Sequence, residues 1–309
     1  MTERPYVDRR VADESRARGA AEVAADRWGL GSVDLLRHGM NAIFRVASRP
    51  GVETVVLRVA DPTAPAECSL ELADTMLTRG VPVLRPARDD VVRHDGLSVT
   101  AWDHVEAVGP VDWREVGAAL RRVHDVGVDE LPTGLPTPQP TAFPWWHFSE
   151  MLDGLGDELD VDARRGIDGA IERHVGWDDF ADPASSGGVD TVVCHGDVHP
   201  GNVIQSADGP VLIDWDLLCR APAGWDHAPL MTWEERWGGD PAVYDRLAEG
   251  YGWSGRGDRH AEAFAELRLV AATLMRLRAG LTDPDAMPEA RRRLRHWRGE
   301  PDAPVWRAV

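Results

Sequence analysis

Behind the apolar segment Thr191 to Cys194 the chain reads His195-Gly196-Asp197-Val198-His199-Pro200-Gly201-Asn202. A carboxylate placed two residues after a histidine and five before an asparagine can take the proton of an attacking hydroxyl, and the asparagine offers an amide oxygen to a hard cation. Twelve residues past Asn202 comes Ile213-Asp214-Trp215-Asp216. A hairpin between the two runs would fold Asp214 back onto the cation that Asn202 holds. Either run alone also has the composition of a turn, since Asp, Asn, Pro and Gly all favour turns. Both together, in order and on matching elements, argue for chemistry. His195, Asp197 and His199 also alternate, which opens a second reading as metal ligands of a hydrolase. That reading needs further ligands downstream, such as His227 or His260, and leaves Asn202 and the Asp214 run unused.

The elements that must position these residues follow from periodicity. Residues 13–28 read as a helix of alanine and charged residues closed by Gly29, and 66–79 as a second helix ending at Gly80. Between them LLRHGMNAIFRVAS and ETVVLRVA have the β-branched alternation of antiparallel strands parted by a turn at Arg49-Pro50-Gly51, and VVRHDGLSVTAW reads as a hairpin about Asp95-Gly96. From Asp112 the stripe Val116, Ala119, Leu120, Val123 is helical, closed by Gly127. Residues 132–144 hold five prolines and form no regular element, 145–182 are mostly helical and acidic, and the chain beyond Asp226 is helical. Asp226 itself stands where a helix N-cap would.

Composition narrows the chemistry. The chain has 309 residues, ordinary for two lobes, with a net charge of −18. Residues 1–100 carry 14 Arg against 15 acidic residues, and the remainder 20 against 37. Such a balance argues against phosphate-neutralising nucleic-acid binding. No apolar run approaches the length of a membrane span, and no signal-like stretch opens the chain, so the expectation is a cytoplasmic protein, monomer or homodimer, with no membrane or nucleic-acid partner. Only Cys68, Cys194 and Cys219 are present, without a C-x-x-C pair, which suits buried free thiols. All 34 basic residues are Arg, so any task that falls to a lysine ammonium elsewhere is done differently here.

His195 to Asn202 fits H-x-D-x-x-x-x-N, the spacing of a phosphoryl-transfer loop. With WREVGAALRRVH ahead of it and VLIDWD and GWDHAPL behind, the chain resembles the aminoglycoside phosphotransferase and choline kinase-like small-molecule kinases. The likeness covers nearly the whole chain and is strongest over 190–230. It implies a bilobal, protein-kinase-like α+β fold: an antiparallel-sheet nucleotide-binding lobe over 1–104, a hinge near 101–104, and a mostly helical catalytic and substrate-binding lobe over 105–309. It further implies Asp197 as catalytic base, Asn202 and Asp214 as magnesium ligands, and ATP or GTP in the cleft. Gly39-Met40-Asn41 is similar to the family's short nucleotide loop. The family's strand lysine falls on Arg58, which can grip phosphate bidentately. Its acidic partner on the first-lobe helix would be Glu71 or Glu67, with Glu71 preferred. Trp102 and His104 mark the hinge, whose backbone would hydrogen-bond a purine, and His195 is expected as a packed loop anchor.

No G-x-G-x-x-G precedes Arg58 and no A-P-E follows Asp214, so protein-kinase activity with an activation loop is not expected. The reaction implied is transfer of a γ-phosphoryl to a small-molecule hydroxyl. In the family the chain before the catalytic loop helps wall the acceptor site. Here residues 150–182 hold eleven acidic residues and three Arg, beside Trp145, Trp146 and Phe148. A cationic acceptor such as an aminoglycoside fits that pattern. The hydrolase reading, and a catalytically silent nucleotide-binding protein of the same fold, stand as alternatives.

Overall fold

The computed structural model describes residues 4–7, 9–46, 54–182 and 189–307; the turn expected at Arg49-Pro50-Gly51 lies outside them. Helix α1 (Glu14–Arg27) starts where the Asp13 side chain accepts from the Arg16 N–H, and it buries Ala17, Ala20, Ala21 and Ala24 along one stripe. That stripe packs on an antiparallel sheet of β1 (Val33–His38), β2 (Ala42–Val46), β3 (Val55–Ala60), β4 (Val92–His94) and β5 (Leu97–Asp103), in the order β1-β2-β3-β5-β4. The β4–β5 turn is Asp95-Gly96, both with positive φ, the pairing a two-residue hairpin favours.

Alternation along the strands divides the sheet's faces. Phe44, Leu57, Val59 and Val99 point to α1 and are fully buried, each contributing about 1.5–3 kcal/mol of apolar transfer. Ile43, Arg58 and Thr100, which lie opposite one another in register, point to the other face. Strand β1 departs from strict pairing: Leu35 faces Phe44 and Arg37 faces Ile43, so Leu36 is an extra residue in a β-bulge. Helix α2 (Glu67–Thr78) lies on the side away from α1 and joins a second apolar core with Tyr6, Trp102 and the next helix.

That next helix, α3 (Trp113–His124), is capped by Asp112 and buries Val116, Ala119, Leu120 and Val123 as the stripe requires; it ends at Asp125, two residues before the expected Gly127. The proline-rich run forms a loop with short 3₁₀ turns at Pro140–Ala142 and Pro144–Trp146, followed by α4 (Phe148–Leu155) and α5 (Val161–Arg173). Two small antiparallel pairs come next: β6 (Val192–Cys194) with β9 (Cys219–Ala221), and the hairpin β7 (Val203–Ser206) with β8 (Gly209–Leu212). Helices α6 (Gly224–Met231), α7 (Trp233–Trp237), α8 (Ala242–Tyr251), α9 (Arg259–Thr282) and α10 (Met287–Trp297) complete the chain. A third core gathers α4, α5, α9 and α10 around Trp225 and Phe264. The three cysteines are free and buried, as expected. Among the described residues no helix is long and apolar enough to cross a membrane.

Candidate active site

Pairing of β6 with β9 fixes where the polar loop begins, and the buried carboxylate of Asp226 fixes its path. Asp226 accepts hydrogen bonds from the backbone N–H groups of His195 and Gly196, each at 2.8 Å, and meets His124 Nε2 at 3.0 Å. His124 Nδ1 in turn meets the Tyr251 hydroxyl at 2.8 Å. Burial alone would push the His124 imidazole down, but the Asp226 carboxylate carries it up to about 9. Asp226 therefore holds the loop from beneath and does not cap a helix, as its position in sequence suggested. The signal was present: an acid inside the largely apolar run GWDHAPL has to be satisfied by something.

Gly196 has φ +96, and a Cβ there would sit 1.9 Å from the Leu217 carbonyl oxygen, so the loop passes too close to its neighbour for any other residue. His195 is fully buried. Its Nε2 bonds the Ile213 carbonyl at 3.0 Å, its Nδ1 accepts from the Asp197 N–H at 3.3 Å, and its ring lies 4.4 Å from that of Trp215. Burial lowers its pKa against the pull of the Asp226 and Asp197 carboxylates. It is a neutral anchor, with both ring nitrogens engaged.

The loop so held presents Asp197. Its Oδ1 pairs with Arg268 Nη1 from α9 at 3.2 Å, and its Oδ2 with His199 Nε2 at 3.3 Å. Arg268 also donates to the Gly196 carbonyl at 2.5 Å and stacks over Trp225, 4.5 Å from the ring centroid. Burial would raise the Asp197 carboxyl, but the His199 hydrogen bond and the charges of His199 and Arg268 outweigh it and take it down to about 2. Arg268 carried no signal in the sequence, because it sits in the middle of a long helix, 71 residues away.

Asn202 is brought alongside. Its Nδ2 donates to the Asp197 carbonyl at 2.9 Å and to Asp197 Oδ2 at 3.3 Å, which turns the amide oxygen the other way. The Ile213 N–H donates to the Asn202 carbonyl at 3.0 Å, so the hairpin returns the 213–216 run to Asn202. Asp214 adopts the left-handed conformation, φ 66 and ψ 70, which a non-glycine residue holds at a cost of about 1–3 kcal/mol. Asp216 accepts from Arg58 Nη2 at 2.5 Å and from Asn41 Nδ2 at 3.1 Å. Its carboxyl is pushed up to about 6, mainly by burial, with Arg58 opposing and the adjacent Asp214 carboxyl adding to it. The Asp214 and Asp216 carboxyls are neighbours and partly buried, and together with the Asn202 amide oxygen they would offer an all-oxygen donor set of the kind that suits a hard divalent cation such as magnesium.

Asn41, Arg58, Asp214 and Asp216 edge a cavity of about 380 Å³ between the sheet and the helical part. Its walls include Ile43, Met76, Trp102, Ile204 and Leu212, and its polar rim includes Arg58 and Asp214. Gly39 N–H bonds the Asn41 carbonyl at 2.9 Å and closes the β1–β2 turn; Asn41 is buried with its Oδ1 unpartnered. Near the end of β5, where the hinge is expected, Trp102 Nε1 donates to Thr100 and its ring walls the cavity. The N–H groups of Asp103 and His104 are taken by the Arg85 and Thr54 carbonyls, at 2.9 and 3.2 Å. His104 and Val105 line the cavity, and among the described residues the Val105 N–H has no hydrogen-bond partner.

Three expectations are corrected. The first concerns Arg58, whose partner is Asp216 and neither Glu71 nor Glu67. Helix α2 turns Leu72, Ala73 and Met76 to the cavity, and at about 100° per residue both glutamates fall on the opposite side. Glu71 is exposed, and Glu67 pairs with Arg93 at 2.6 Å. The second concerns the aromatic run: Trp146 and Phe148 belong to the third core, and only Trp145 is half-buried, stacked on Phe143 at 5.0 Å. The third concerns the acidic stretch, which is no uniform wall. Asp160 pairs with Arg298, Asp162 with Arg165, Asp168 with Arg164, and Asp179 with Arg259 and His260.

The ligand set of a metal hydrolase is not assembled either. His195 faces Ile213, His227 meets the Tyr244 hydroxyl and is driven by burial to about 4, and His260 pairs with Asp179. Among the described residues the one tight His/Cys/Asp/Glu group is His124, Cys194 and Asp226, which is the buried anchor of the loop.

Comparison with solved structures gives the same architecture. The chain is similar in fold to a spectinomycin phosphotransferase solved with ADP and spectinomycin (16% identity, 86% of this chain and 89% of that one, TM-score 0.62). It is equally similar to a choline/ethanolamine kinase family protein from Mesorhizobium loti (16% identity, 94% and 95%, TM-score 0.63). An amicoumacin kinase solved with AMP-PNP, calcium and amicoumacin is a third (11% identity, 94% and 97%, TM-score 0.63). The bilobal, kinase-like α+β fold is thereby shown. No curated protein matches the sequence. Residues 35–268, from the first strand through Arg268, match the pattern of the phosphotransferase enzyme family, APH, and the chain belongs to that family.

Proposed function

We propose that the protein transfers the γ-phosphoryl group of ATP or GTP to a hydroxyl of a small molecule, with residues 1–104 binding the nucleotide and 105–309 supplying the catalytic loop and the acceptor site. The observation that carries this reading is that Arg58, Asp214 and Asp216 line one cavity whose walls are apolar enough for a purine, while Ile213, next to Asp214, is hydrogen-bonded to Asn202, which in turn bonds Asp197.

In this reading Asn202 and Asp214 hold magnesium, which supplies positive charge to the phosphate oxygens. Arg58, fixed by Asp216, faces those oxygens with its remaining N–H groups. The base stacks on the wall that includes Trp102, and the Val105 N–H meets its edge. Asp197 receives the acceptor hydroxyl. A carboxyl held at about 2 is ionised across the physiological range and a weak base, so its main contribution is to align the hydroxyl with the phosphorus and accept the proton late. A loose phosphoryl-transfer transition state needs little more than that. Arg268 and His199 fix the carboxylate's rotamer for the task. The net charge of the chain favours a cationic acceptor, and a cytoplasmic setting supplies both nucleotide and magnesium.

The test is nucleotide consumption with magnesium against a panel of aminoglycosides, other cationic antibiotics, amino alcohols and sugars. Phosphorylated product with one of them, absent in Asp197→Asn, supports the reading. Metal-dependent hydrolysis with no nucleotide requirement would replace it.

A further inference from the structure

The bulge in β1 places a charged residue where a regular strand would not. Were the register to continue regularly from Leu35 opposite Phe44, Leu36 would face Ile43 and Arg37 would stand opposite Ala42, whose side chain lies in the core under α1. With the bulge at Leu36, Arg37 stands opposite Ile43 and shares the cleft face with Ile43 and Arg58. Its guanidinium reaches across the cleft to Asp214, 3.3 Å between Nη2 and Oδ2, and it lines the cavity. That pair is exposed on the Arg37 side, 57%, so the bridge contributes little and the side chain can leave it easily.

We propose that Arg37 is a second phosphate-binding side chain of this site, aimed by the bulge at the β- and γ-phosphates of the nucleotide. The inference rests on the phosphotransferase reading above. Arg58 is tied to Asp216 at 2.5 Å in a nearly buried pair, and the chain has no lysine. Arg37 is the mobile cation beside the carboxylate that fits the metal. Once a divalent cation occupies Asp214, the guanidinium is displaced by competition for the same oxygen, and the nearest anions are the phosphate oxygens bound to that cation. A planar fork suits two of them at once.

The experiment is calorimetric titration of the full chain and of Arg37→Ala with adenosine, and with the imido analogue of ATP in magnesium. Guanosine and the GTP analogue form a parallel set. Manganese without nucleotide is titrated by its electron paramagnetic resonance signal. In Arg37→Ala the triphosphate analogue is expected to bind about tenfold to a hundredfold more weakly, the scale of one lost charge-assisted contact. Nucleoside affinity stays unchanged, and manganese binds more tightly because its competitor is gone. Arg37→Lys keeps most of the triphosphate affinity. Triphosphate affinity of Arg37→Ala within twofold of the unaltered protein overturns the inference while leaving the phosphotransferase reading intact. An unaltered protein that binds neither nucleoside nor triphosphate overturns both.

Discussion

Arg58 on β3 and Asp216 after β8 form a nearly buried pair 2.5 Å apart, so the strand cation is held by the 213–216 run and not by the helix beside it. Asp216 also accepts from Asn41 of the β1–β2 turn. The β1–β2 turn, the strand cation and Asp216 are thus one hydrogen-bonded set.

Removing one partner of a nearly buried pair leaves the other charge without compensation. Asp216→Ala should therefore cost about 3–5 kcal/mol in urea unfolding, whereas Glu71→Ala, exposed on the far face of α2, should stay within about 0.5 kcal/mol. Nucleotide affinity should follow the same order. Comparable damage from the two substitutions would contradict the pairing.

The buried His124–Asp226 pair sets a pH dependence. The folded imidazole, at about 9, lies above its ordinary value of 6.5. The folded state thus keeps a proton that the unfolded chain releases first. This contribution to stability is complete below about pH 6.5 and is lost as pH rises through about 9. Thermal unfolding should accordingly show a decline between those limits, and His124→Gln should flatten it. An unchanged alkaline decline in that variant would place its origin elsewhere.

Gly196→Ala tests the tightness of the loop that carries Asp197. A methyl there meets the Leu217 carbonyl at 1.9 Å in a backbone conformation that L-residues rarely adopt. Either the loop moves off Asp226, or the 213–217 turn moves away from the loop. The expected result is a loss of stability of several kcal/mol and of nearly all turnover. Full activity with a lowered melting temperature would show that the loop tolerates displacement.

Much of this arrangement was legible in the sequence because it is local. The polar loop after β6, the hairpin that returns the 213–216 run to Asn202, the helix that begins after Asp112 and the Asp95-Gly96 turn all follow from spacing and turn chemistry within about twenty residues. What escaped is set by packing over long separations. The rotation of α2 decides that Leu72 and Met76 face the cleft and Glu71 does not, and buried residues on both sides of that helix hid its phase. The bulge at Leu36 leaves no mark in composition. Arg268 and Asp226 meet the loop only because α9 and α6 pack beneath it, and Trp146 is core for the same reason.

The last prediction concerns Asp197. In Asp197→Asn the amide oxygen can still accept from Arg268 and the side-chain volume is unchanged, so the protein should fold and bind nucleotide nearly as before. What is lost is the negative charge that aligns and then deprotonates the acceptor hydroxyl, and turnover should fall about a hundredfold to ten-thousandfold with little change in nucleotide KM. With the carboxyl at about 2, this residue stays ionised well below neutrality. An acid limb of the rate profile centred above about pH 4 must then belong to another group. If Asp197→Asn keeps turnover within about threefold of the unaltered protein, Asp197 does not serve as the base.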